Sequence, residues 1–90
     1  MYIIVTINKK TGMATHVVPK PTSSRKFAIR YAYWAATDGL ERKGHQLNGS
    51  HGNTKLLTKI RKDLDELGYF KLPATESHPY VEYVQIIKIN

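Results

Sequence analysis

A chain of 90 residues has room for one modest domain, because at this size folding buries only about 60–65% of the surface that the unfolded chain exposes. Hydrophobic residues make up 41% and charged residues 23%, which fits a self-folding globular chain rather than a disordered one, and the absence of cysteine excludes disulfides and thiolate metal sites. Fourteen Lys and Arg against seven Asp and Glu give a net charge of +7, and with neither a signal-peptide apolar region nor a bilayer-length apolar run, a soluble cytoplasmic protein is expected.

The segment Tyr2-Ile3-Ile4-Val5-Thr6-Ile7 is dense in β-branched and aromatic residues. Lys9-Lys10-Thr11-Gly12 supplies turn chemistry and Met13 to Val18 runs back, so a β-hairpin is predicted. Pro19 and Pro21 end it, and Thr22-Ser23-Ser24 offers hydroxyls to cap a first helix. In that helix Phe27, Tyr31, Trp34 and Ala35 recur at the spacing of a buried stripe, Ala28 and Ala32 allow close approach to a sheet, and Gly39 is placed to end the helix.

From Glu41 to Asn53 the chain turns polar and glycine-rich, with Gly44, Gly49 and Gly52, and is read as a mobile loop. Asn53 or Thr54 caps a second helix whose Leu57, Ile60, Leu64 and Leu67 form one apolar face, closed by Gly68 in a left-handed turn. Lys71 to Pro79 reads as irregular and Tyr80 to Ile89 as the last strand, too uniformly apolar to fix its register. The expectation is an α+β fold, one domain over residues 1–90: hairpin, helix, loop, helix, strand. Its sheet has three antiparallel strands with both helices on one face, and the last strand pairs with the first.

No catalytic constellation stands out. The glycines between Gly44 and Gly52 lack the leading strand and the Gly-Lys-Ser/Thr ending of a phosphate-cradling loop. His45 and His51 lie in that loop with no carboxylate between them, which matches no ligand pattern, and Glu76-Ser77-His78 are mere sequence neighbours, whereas a catalytic triad is assembled by a fold. The chain is therefore read as non-enzymatic, with no metal and no cofactor.

Charge is more informative. Residues 1–30 sum to +6, residues 31–62 to +4 and residues 63–90 to −3, an asymmetry that points to an anionic partner for the first two thirds. On the second helix Lys55, Lys59, Arg61 and Lys62 precede Asp63, Asp65 and Glu66, the reverse of the order that the helix dipole favours. Three i,i+4 pairs (Lys59 with Asp63, Arg61 with Asp65, Lys62 with Glu66) offset this only weakly. Cations at a helix N-terminus beside a glycine-rich loop suit an anion. Lys26, Arg30, Tyr33 and Thr37 share the outer face of the first helix, and Lys9 and Lys10 occupy the hairpin tip, so these groups could track a phosphate backbone.

In size, basicity, lack of cysteine and hairpin-first layout the chain is similar to the compact accessory proteins of phages and mobile elements. Some of these bind nucleic acid and some inhibit host enzymes. Two readings follow: a nucleic-acid-binding module (DNA or RNA) held mainly by phosphate contacts, or an interaction or inhibitor module whose basic face meets an acidic surface of a host protein. In the second, Tyr33, Tyr69 or Phe70 would serve as anchors.

Overall fold

The computed structural model describes residues 1–44, 54–76 and 78–89, beginning with strand β1 (Tyr2–Asn8). Asn8 stops the strand: its side-chain oxygen accepts from the backbone N–H groups of Lys10 and Thr11 at 2.9 and 3.2 Å, a local turn that competes with extension. Gly12 then takes a left-handed φ of +74° and the chain returns as β2 (Ala14–His16), antiparallel to β1. This strand is shorter than the predicted Met13–Val18. The chain nevertheless stays beside β1, with Val17 N–H donating to the Ile4 carbonyl at 2.8 Å and Tyr2 bridged to Thr22. Pro19 and Pro21 fall on this outer edge, where a missing N–H breaks no ladder.

Helix α1 (Arg25–Arg42) starts as its sequence implies, the Ser24 hydroxyl accepting from the Phe27 N–H at 3.3 Å. Its buried face differs from the predicted aromatic stripe. Ala28, Ala32, Ala36, Gly39 and Leu40 face the core, while Phe27 is 47% and Trp34 60% exposed. Small side chains let the helix lie close against the sheet, and the large rings ride on its flank. Gly39 is likewise not the end of the helix. A β-carbon there would stand 2.5 Å from Leu72 Cδ2, so any larger residue would have to displace that side chain. The helix runs on to Arg42, is capped by Lys43, and Gly44 turns the chain at φ +94°. Glu41 and Arg42 thus belong to α1 rather than to a loop, and the rest of the predicted mobile loop, residues 45–53, lies outside the described residues.

Helix α2 (Thr54–Glu66) buries Ile60 and Leu64 completely and Leu57 in part. Leu67, predicted on the same face, is 57% exposed, because it follows the last helical residue and the chain there peels away into Gly68 at φ +80°. The segment after Gly68 is a strand, β3 (Tyr69–Leu72), where Lys71 and Leu72 were expected to be irregular; Phe70 and Leu72 point into the core. β4 (Glu82–Lys88) follows.

The sheet accordingly has four antiparallel strands, not three, in the order β2-β1-β4-β3. β4 pairs with β1 along its length, Ile4 opposite Ile86 and Ile7 opposite Tyr83, as expected, and with β3 on its other side. That central position explains the apolar run of β4. Ile4, Phe70, Leu72 and Val84 meet the alanines of α1 and Ile60 and Leu64 of α2, so both helices cover one face of the sheet. α1 lies over β1 and β4, α2 over β3.

Lys43 locks this layer. Its side chain is 2% exposed, and its amine donates to the carbonyls of Pro73 and Tyr80 at 2.9 and 3.1 Å while lying 3.7 Å from the Glu82 carboxylate. The end of α1 is thereby tied to the β3–β4 connection.

Candidate functional site

The two helices run antiparallel, since Arg25 at the start of α1 meets Asp65 near the end of α2, whereas Tyr33 further along α1 meets Arg61. Between them lies an open groove of about 580 Å³ lined by Lys26, Ile29, Arg30, Tyr33, Thr58, Arg61, Lys62 and Asp65. Residues 26, 30 and 33 share a flank of α1 by helical spacing, and residues 58, 61, 62 and 65 do so on α2. Docking of the helices brings the two flanks together.

The groove is electrostatically one-sided. Four of its residues are cationic and one, Asp65, is acidic. Arg25 already holds that acid, with Nη1 2.8 Å from its carboxylate and Nη2 donating to its backbone carbonyl. Among the described residues, none of Lys26, Arg30, Arg61 and Lys62 joins an ion pair. Two are instead held by rings: the Arg61 guanidinium lies 4.7 Å from the Tyr33 centroid and that of Arg30 lies 5.6 Å from the Phe27 centroid. Such contacts orient a guanidinium without neutralising it, leaving its N–H groups free to meet an anion.

Of the three helical ion pairs expected on α2, Lys59 with Asp63 forms, at 2.8 Å. Arg61 and Asp65 turn to partners on α1 instead, and no ion pair joins Lys62 to Glu66 among the described residues. Lys59 is thus directed away from the groove, and Lys55, exposed in the first turn, does not line it either. Lys9 and Lys10 at the β1–β2 turn stand apart from the groove, with the Lys9 amine 5.1 Å from the Tyr83 centroid on the sheet face opposite the helices. The sequence grouping therefore divides. Lys26, Arg30, Tyr33, Arg61 and Lys62 form one surface; Lys9 and Lys10 belong to another.

Phe70 is buried at 3% exposure and is not available as an anchor, whereas Tyr69 is 40% exposed. Among the described residues no group of three or more His, Asp or Glu gathers in a way that could hold a metal ion. Sequence reasoning missed Arg25, whose bridge to α2 neutralises the groove's acid; a partner forty positions away leaves no periodic signal. Among the described residues, no helix is long and apolar enough to cross a membrane. No family model, no curated protein and no solved structure matches the chain.

Proposed function

We propose that this protein is a small non-enzymatic module that binds nucleic acid by gripping its phosphate backbone in the α1–α2 groove. The observation that carries this reading is the convergence of Lys26, Arg30, Arg61 and Lys62 on one groove whose acid is held by Arg25. Guanidinium forks resting on Tyr33 and Phe27 suit the geometry of phosphate oxygens. Among the described groove residues no nucleophile stands beside an oriented base, and the reading is accordingly one of binding.

The test is an anisotropy titration against duplex DNA, single strands and RNA at two salt concentrations. If all four groove cations contact phosphate, the log–log slope on duplex DNA is about −3.6, a loss of roughly 150-fold between about 50 and 200 mM salt. Absence of measurable binding at the lower salt overturns the reading.

A second reading is favoured by a different observation. Phe27 and Trp34 are 47% and 60% exposed on the flank of α1, with Tyr31 packed edge-on against Trp34 at 6.0 Å. Exposed aromatics beside cations suit an acidic protein partner anchored by a ring, as in an inhibitor of a host protein. Such binding responds less steeply to salt and is lost in Trp34→Ala.

A further inference from the structure

Strand alternation places a second set of side chains on the sheet face opposite the helices. Since Ile4, Phe70, Leu72 and Val84 point into the core, their neighbours point the other way. Register orders them in rows across the sheet. Ala14, Ile7, Tyr83 and Lys71 form one row; His16, Val5, Gln85 and Tyr69 form the next; Ile3 and Ile87 form a third. Among the described residues no helix or strand packs over this face. Of the set, Val5 alone is buried, and Tyr69 is 40% exposed.

Three properties of the face point to one ligand. Tyr69 and Tyr83 stand side by side with centroids 5.8 Å apart and planes at 67°, two ring systems on the β3–β4 side of the face, beside the aliphatic Val5, Ile7 and Ile87. Cations border the rings: Lys71 is opposite Tyr83 in register, and the Lys9 amine lies 5.1 Å from the Tyr83 centroid. Among the described strand residues no acid lies on this face, Glu82 being on the helix side, close to Lys43. A second copy is disfavoured by this charge pattern. Two-fold pairing of the face would bring together two cationic surfaces with no carboxylate among the described strand residues to offset them. An unpaired nucleotide satisfies every group, its base on a tyrosine and its phosphate on a lysine, with the polar ends of Gln85 and His16 within the same surface. Duplex bases, already stacked on one another, cannot use it.

We infer that this sheet face is a base-stacking platform for single-stranded nucleic acid, distinct from the phosphate-gripping groove. The inference rests on the nucleic-acid reading but uses residues that the groove does not. It is tested by comparing a labelled oligo(dT) of about 12 nucleotides with an abasic strand of the same phosphate count. The wild-type protein is expected to bind oligo(dT) more tightly than the abasic strand. Tyr83→Leu and Tyr69→Leu are each expected to weaken oligo(dT) binding by about 5–100-fold while leaving duplex and abasic binding within about twofold. Tyr69, on the edge strand, serves if the central Tyr83 variant unfolds, and the comparison of strands requires no variant.

Equal affinity for the two strands overturns the inference, as does unchanged oligo(dT) binding by a folded leucine variant. A wild-type dimer that the leucine substitutions dissociate, with no oligo(dT) binding, gives the face to a second copy instead. Arg30→Gln with Arg61→Gln separates the two surfaces. If that variant loses duplex binding and the tyrosine variants change nothing, the groove reading stands and the platform falls. If that variant leaves duplex binding unchanged while oligo(dT) binding is lost with the tyrosines, the platform stands and the groove reading falls.

Discussion

Lys43 and Glu82 form an ion pair at 3.7 Å in which the amine is almost wholly buried and the carboxylate retains some contact with water. The amine has two carbonyl acceptors besides, those of Pro73 and Tyr80, and lies 5.1 Å from the Tyr80 ring centroid. Lys43→Ala removes the shared partner of all these groups and is expected to destabilise the fold by about 3 kcal/mol, near the low end for breaking a buried pair. Glu82→Gln leaves both carbonyl bonds in place and is expected to be milder. Urea midpoints of the two variants check the order; equal losses would mean that the carboxylate, not the carbonyls, holds the amine.

Gly39 and Leu72 set the distance between α1 and the sheet. Gly39→Ala gains about 1 kcal/mol of helix propensity but drives a methyl to 2.5 Å from Leu72 Cδ2, and overpacking of this kind costs roughly 1–3 kcal/mol. Net destabilisation is expected. In a double-mutant cycle, adding Leu72→Ala should recover part of the loss, because the clash then has no partner. Strict additivity of the two substitutions would place the clash elsewhere.

Leu64 and Leu67 lie three positions apart but do not share an environment. Leu64→Ala is expected to cost roughly 2–4 kcal/mol, whereas Leu67→Ala, at a residue 57% exposed, should cost less than about 1 kcal/mol. Thr58→Ala on the groove side should also change stability little. Thermal unfolding of the three variants reads the difference directly, and a large loss at Leu67 would contradict the observed end of α2.

The helix cations separate by salt dependence. Arg30→Gln with Arg61→Gln is expected to flatten the duplex slope by about 1.8, since each phosphate contact contributes roughly 0.9. Lys59→Gln is expected to leave it unchanged, as that amine is directed to Asp63 at 2.8 Å. A slope that flattens with Lys59→Gln and not with the arginines moves the contact to the outer face of α2.

These contrasts mark how far the sequence could be read. The start of α1, the β1–β2 turn and the turn after α2 were legible because Ser24, Gly12 and Gly68 act locally, through a cap and left-handed turns; the end of α1, expected at Gly39, was not. The buried face of α1 was legible in part: Ala28 and Ala32 approach the sheet as expected, but hydrophobic spacing put Phe27 and Trp34 on the same face, whereas the contact is completed by Ala36 and Gly39, whose merit is small size. β3 was missed for a similar reason: four residues beside Pro73 carry little pattern, and their pairing with β4 is a tertiary event. The candidate groove was half legible. Lys26, Arg30 and Tyr33 could be placed on one face, as could Arg61 and Lys62, but their meeting depends on how α1 and α2 dock.

The strand order has a consequence for how the molecule is made. β1 and β4, neighbours at the centre of the sheet, come from opposite ends of the sequence, and the backbone N–H of Ile89 donates to the Met1 carbonyl at 2.8 Å. A nascent chain that has emerged from the ribosome only as far as β3 holds two separate sheet edges with nothing between them. The β1–β4 pairing joins residues far apart in sequence, and the loop-closure entropy of such a contact slows its formation relative to local pairings such as β1–β2. Until then both helices carry exposed apolar faces, and a chain stalled in that interval is a natural substrate for chaperones or proteases.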